Sequence, residues 1–157
     1  MSEDSTQDNP GVIAPPPLIY AGALATGLFM HWRFPVKFLP RTVARFLGRV
    51  SMGISGVLAL TAILEMRRAG THVDPSQLVT TIVTRGPFRL TRNPLYLSLT
   101  LLYTGIALLV NSFWAIILLP GVLLLIRFGV INREERYLEQ KFGEQYLSYK
   151  AKVRRWI

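Results

Sequence analysis

The residues best suited to chemistry stand in one short run, Arg92-Asn93-Pro94-Leu95-Tyr96, preceded by Gly86-Pro87-Phe88-Arg89. Asn-Pro is a helix-start signal, because Asn suits the N-cap and Pro the first helical position. A helix that begins there turns unpaired backbone N–H groups and the positive end of its dipole outward, which attracts an anion. Arg92 adds a forked donor matched to a carboxylate or phosphate. Phe88 and Tyr96 offer aromatic faces that could hold a cation. Further along, Glu134-Glu135 supplies carboxylates. Taken singly, each has a plain structural reading: a capped helix, a headgroup contact, a belt aromatic, a solvated acidic pair.

Other chemistries have no support. The chain has no Cys, which removes disulfides, thiolate metal sites and Cys nucleophiles. His31 and His72 are isolated and lack metal-like spacing, so no metal site is expected. No Ser/His/Asp arrangement and no phosphate-cradling glycine loop can be placed. No charged residue sits at the middle of an apolar stretch, which weighs against a transporter.

The elements that must position these residues are apolar. Of the 157 residues, 50% are hydrophobic, with a mean hydropathy of +0.32, yet the chain carries 18 Lys+Arg against 9 Asp+Glu. The cations are segregated into Arg33–Arg49, Arg67–Arg92 and Arg127–Arg155, with nearly uncharged stretches between. Such a chain alternates between water and hydrocarbon as its solvent. Cations that border apolar spans fit anionic headgroups better than nucleic acid, which is not an expected partner.

Four spans are predicted: Leu18–Trp32, Val50–Met66, Leu95–Val110 and Phe113–Ile126. Asn111-Ser112 leaves room only for a tight antiparallel hairpin between the last two, and Pro120-Gly121 predicts a kink in the fourth. Small residues four apart, Ala21/Ala25 and Ala23/Gly27, would let the first helix approach a neighbour closely. Phe34–Leu47 reads as an interfacial connector. Gly70 and Asp74-Pro75 mark turns in the polar connection that follows the second span. Leu138, Phe142, Tyr146, Tyr149 and Val153 recur on one face of a C-terminal amphipathic helix, with Asn132 and Glu135 placed to cap its start. The expected architecture is all-α: a polytopic membrane bundle of about four transmembrane helices plus that amphipathic cytoplasmic helix. Residues 1–16 read as a disordered leader with no basic n-region, so no cleaved signal peptide is expected. Residues 17–157 read as a single domain.

Jointly, Gly86-Pro87-Phe88-Arg89, Arg92-Asn93-Pro94-Leu95-Tyr96, an apolar hairpin, Glu134-Glu135 and Phe142-Gly143-Glu144-Gln145-Tyr146 with Tyr149 form a specific pattern. It resembles the isoprenylcysteine carboxyl methyltransferase and phospholipid methyltransferase superfamily of integral membrane enzymes. The resemblance covers about Thr80 to Arg155, in matching order and spacing; the first two spans match only in general character. It implies S-adenosylmethionine as cofactor and a catalytic half at about 80–157. By the same resemblance, Thr80, Thr81, Ile82 and Val83 precede the Gly-x-aromatic motif and contact the cofactor. Phe88 is the motif's aromatic, where the family often has Tyr. Arg92, Asn93, Pro94, Leu95 and Tyr96 stand for Arg-His-Pro-x-Tyr, and Glu134 and Glu135 complete the cofactor set. Arg92, Asn93 and Glu134 are the implied catalytic residues. Asn93 departs from the usual His and cannot shuttle a proton near neutrality.

The functional expectation is a membrane methyltransferase whose acceptor is lipophilic or amphipathic, a carboxylate or an amine. The alternative is a non-catalytic scaffold or assembly protein that keeps the fold. The expected partners are the bilayer and a lipid-like or small-molecule acceptor, and the sequence does not indicate an oligomeric state. The second and third cation clusters place the cofactor end on the cytoplasmic side. Arg33–Arg49 would then face outward, against the charge rule.

Overall fold

The structure, a computed structural model, describes residues 13–71 and 80–156. His72 and Asp74-Pro75, and most of the expected leader, lie outside the described residues. Those described form helices and connections without a strand. Among the described residues, two helices are long and apolar enough to cross a membrane: Arg41–Arg68 and the continuous 30-residue run Phe113–Phe142. Pro94–Val110 is a shorter apolar helix.

Helix α1 (Pro16–Arg33) starts at Pro16, inside the expected leader, because proline is tolerated in a first turn. Helix α2 (Arg41–Arg68) begins earlier than the apolar pattern suggests. The expected connector Phe34–Leu47 is therefore corrected to about Phe34–Pro40, with Arg41–Leu47 forming the first turns of α2. These cations occupy the outer face of a helix whose inner face, Ala44 and Gly48, is buried. A 3₁₀ turn (Gly86–Arg89) precedes α3 (Pro94–Val110). Asn111, at φ 58° and ψ 44°, turns the chain, and Ser112 caps α4 (Phe113–Ile126) by accepting from Ala115 N at 3.2 Å. The hairpin is as expected.

Helix α4 runs through Pro120, and the irregularity falls later, in a π turn at Arg127–Ile131. The chain then continues without a cap into α5 (Asn132–Phe142), so Asn132 and Glu135 begin no new helix. A second correction concerns the tail. Gly143 (φ 51°, ψ −128°) separates α5 from α6 (Glu144–Lys152), so the amphipathic face is carried by two helices rather than one. Tyr146 and Tyr149 of that face are buried.

In the bundle, α1 packs along α4 and α2 along α3. Both seams need glycine. A Cβ on Gly27 would lie 2.6 Å from Ala115 Cα, and one on Gly105 would lie 3.0 Å from Gly48 O. Hydroxyls add polar glue, with Ser51 Oγ donating to Leu101 O and Ser55 Oγ to Ser98 O, both at 2.7 Å. At the hairpin end, Asn111 Nδ2 donates to Leu39 O at 2.7 Å and Trp114 Nε1 to Phe34 O at 2.8 Å. The α1–α2 connection and the α3–α4 hairpin therefore share one end of the bundle. The start of α3, the α5–α6 tail and the C-terminus of α2 share the other.

Close approach at Gly27 makes a prediction. Gly27→Ala must push the Ala115 backbone aside and is expected to cost about 1–3 kcal/mol. Gly22→Ala meets open space and is expected to be neutral or to stabilise by about 0.5–1 kcal/mol. Denaturation of both variants in detergent micelles checks the contrast.

Candidate functional site

The site is assembled where the C-terminal strand-like end of the chain crosses the start of α3. Thr91 Oγ1 and Asn93 Nδ2 both donate to Arg155 O at 3.0 Å, and Arg92 N donates to Arg154 O at 3.0 Å. Asn93 stands at the N-cap position, but its side chain makes no cap bond. Its backbone N–H goes to Thr91 Oγ1 at 3.2 Å, so Thr91 closes the turn while the Asn93 amide holds the tail. Tyr149 OH donates to Phe88 O at 2.7 Å and ties α6 to the 3₁₀ turn. That turn depends on Gly86, whose φ is 57° and whose Cβ would sit 2.8 Å from Glu65 Cγ. A side chain there would be strained by the positive φ and would have to displace Glu65.

Glu135 is the electrostatic centre. It is buried, and its carboxylate accepts from Arg155 Nε at 2.9 Å and Nη2 at 2.7 Å, in the fork geometry that makes such pairs strong. Arg92 Nη2 lies 3.3 Å from the same carboxylate and Lys150 Nζ 3.9 Å away. Lys150 also pairs with Glu139. The Glu135 bond raises the Arg155 pKa further. Burial pushes the Tyr146 hydroxyl up to about 12, the Glu135 charge adding to the effect and the Arg92 charge opposing it. Burial also raises Tyr149.

Arg92 is 9% exposed, and its Nε and Nη1 are buried without a hydrogen-bond partner. One of the three guanidinium nitrogens thus faces Glu135, and the other two have no hydrogen-bond partner. Beside it, Tyr96 OH donates to Glu134 Oε1 at 2.5 Å. Glu134 lies beyond the apolar part of its long helix, which ends at Ile131 before Arg133-Glu134-Glu135-Arg136. Burial pushes its carboxyl up to about 7; the Tyr96 bond opposes this and the Glu135 charge adds to it.

Of the sequence-expected residues, the fold brings together Phe88, Arg92, Asn93, Pro94, Tyr96, Glu134 and Glu135. Leu95 sits among them, half-buried in the first turn. Thr80 Oγ1 donates to Gly70 O at 3.0 Å, just past α2 and at the same end of the bundle. Sequence reasoning missed Thr91, Lys150, Arg155 and Trp156, the last packed against the core. The two tyrosines of α6 carried a signal, their helical spacing. Arg155 carried none, being one of several cations in a basic tail.

Two outcomes follow from these geometries. Glu135→Ala strands Arg92 and Arg155 and is expected to destabilise the protein by roughly 3–5 kcal/mol in a denaturant titration. For Glu134, the folded carboxyl titrates near 7, above its ordinary 4.5, so the native chain binds more protons than the unfolded one between those values. Stability is fully present below about pH 4.5, falls as pH rises through 7, and levels off above. The melting-temperature advantage of the wild type over Glu134→Gln should therefore shrink from pH 5 to pH 7.5, about the window these values span. A constant difference would contradict the assignment.

Comparison with known proteins places the site in context. The family model described as phospholipid methyltransferase matches residues 43–145. A curated protein of Haemophilus influenzae (strain ATCC 51907 / DSM 11121 / KW20 / Rd), described only as uncharacterized, is 67% identical over 27 residues. The match covers 17% of this chain and 43% of that relative, so the chain spans less than half the length of the curated relative it matches. No solved structure matches. The family match takes in most of α2, the Gly86–Tyr96 segment, the hairpin, Glu134 and Glu135, about two thirds of the chain. The chain belongs to the phospholipid methyltransferase family of membrane proteins.

Proposed function

We propose that the chain is a multi-pass, S-adenosylmethionine-dependent methyltransferase that acts on a lipophilic or amphipathic acceptor at the cytoplasmic face of a membrane. The observation that carries this reading is the buried Arg92, two of whose donor atoms lack a protein partner, at the start of α3 and beside the Tyr96–Glu134 pair. Family membership supports the methyl-transfer chemistry.

The residues suit the cofactor. Arg92 Nε and Nη1 and the first-turn N–H groups of α3 would hold its carboxylate. The Glu134 oxygen not engaged by Tyr96 suits ribose hydroxyls or an ammonium. S-adenosylmethionine supplies, when bound, an electrophilic methyl group on a sulfonium. The chain's own work is alignment and exclusion of water. The Arg154–Arg155 crossing covers the start of α3, and Glu135 acts as a positioning residue that fixes both Arg92 and this cover. Asn93 contributes by holding Arg155 O, which gives its amide a structural task where the family's usual His would offer a titratable ring. An amine acceptor must lose a proton before it attacks. A carboxylate acceptor needs no such step.

Helices α1 and α3 are read as the remaining two spans. At about 1.5 Å per residue their 18 and 17 residues reach roughly 26 Å, and they lie along α4 and α2. The end that carries α3's start holds 13 of the 18 cations, which orients it to the cytoplasm.

Titration with S-adenosylmethionine in detergent tests the reading. Binding is expected in the wild type and should weaken about 10- to 100-fold in Arg92→Ala and in Glu134→Gln, the loss of a hydrogen bond to a charged group. Labelled methyl should also pass from the cofactor to a component of a membrane extract. Absent binding, or binding unchanged in both variants, would overturn the proposal. Binding without transfer to any component would favour the scaffold alternative.

A further inference from the structure

The end of the bundle opposite the candidate active site has a charge pattern that the methyl-transfer reading does not use. Arg33, Lys37, Arg41, Arg45 and Arg49 are all exposed there. Every described carboxylate stands at the other end: Glu65 near the C-terminus of α2, and Glu134, Glu135, Glu139 and Glu144 on α5 and α6. Arg41, Arg45 and Arg49 recur every four residues and so share a helix face. That face is not the one packed on α3, which carries Ala44, Gly48 and Ser51.

The surroundings select the partner. Exposed Phe46 and Val50, 65% and 42% accessible, lie on a third face of the same turns. Trp32, 75% accessible, stands at the neighbouring end of α1. A surface that is cationic on one side and apolar on the other fits the boundary between headgroup and acyl chain. A soluble polyanion would satisfy the arginines and leave the apolar side in water. Depth agrees: from Arg49 to Arg67 is roughly 27 Å of helix, close to the thickness of a hydrocarbon core, so Arg41–Arg49 reaches the opposite headgroup layer.

We propose that these five residues form a docking surface for anionic phospholipid headgroups in the leaflet opposite the candidate active site. The arginines lay their stems along the helix and turn their guanidinium groups to lipid phosphates. The surface would also account for five cations on the side where the charge rule expects few.

Native mass spectrometry of the full chain in detergent, with added phosphatidylglycerol or phosphatidylcholine, tests this. The wild type and the Arg41→Lys/Arg45→Lys/Arg49→Lys variant are expected to retain phosphatidylglycerol in preference to phosphatidylcholine. The corresponding triple Arg→Gln variant should lose retention by up to about a hundredfold. Arg67→Gln/Arg68→Gln, at the other end, should retain it. If the triple Gln variant does not fold, the three single Arg→Gln variants should each show a partial loss. Equal retention of the two lipids by the wild type, undiminished retention in the Gln variants, or an equal loss in the Arg67/Arg68 control would overturn the proposal. Displacement of the lipid by inorganic phosphate at matched concentration would overturn it in favour of a small-anion site.

Discussion

The arrangement at the start of α3 depends on one buried carboxylate. Glu135 draws Arg92 from the approach to α3, Lys150 from α6 and Arg155 from the chain end onto a single anion. Arg92 lies far in sequence from the other two, which stand in the C-terminal tail. Taking several charges out of water is costly, and the cost is offset only where geometry and hydrogen bonding are good. The bidentate Arg155 contact meets that condition. The Arg92 contact meets it only in part, and its Nε and Nη1 are buried without a partner.

A second tier of bonds keeps this centre aligned with the membrane part. Tyr20 OH lies 2.8 Å from Thr100 Oγ1, and Thr100 Oγ1 in turn donates to Tyr96 O at 2.8 Å. Tyr103 OH donates to Ala115 O at 2.7 Å. The two tyrosine bonds cross from α1 to α3 and from α3 to α4, where hydrocarbon could not satisfy a hydroxyl. Tyr96 belongs to both tiers, with its backbone in the bundle and its hydroxyl on Glu134.

What could be read from sequence follows a physical divide. Breaks made by local chemistry were legible. Asn93-Pro94 and Asn111-Ser112 delimit α3 as expected, because cap and turn preferences act over a few residues. The start of α2 was not, since Arg41, Arg45 and Arg49 suggest a solvated connector until Ala44 and Gly48 are seen packed on α3. The break at Gly143 was hidden because the apolar period runs on across it. The Glu134-Glu135 pair was visible as acidic residues, but their division of labour was not. It is set by Tyr96 for one and by Arg155 for the other, both long-range contacts.

The π turn at Arg127–Ile131 controls the phase of everything after it. In an unbroken α-helix the face of Ile126 would return seven residues on, at Arg133. A π turn takes up one more residue before the face returns, so the inward direction passes to Glu134. Accessibility along the chain follows that shift: Arg133 is exposed, Glu134 half-buried and Glu135 buried. The apolar helix can therefore keep the rotation that its own packing demands, while the segment beyond it is turned by about one residue to bring acids rather than a cation against α3. In this protein, which side chains meet Tyr96 and Arg92 is decided by a change of winding several residues away, within a stretch that itself has no acidic residue.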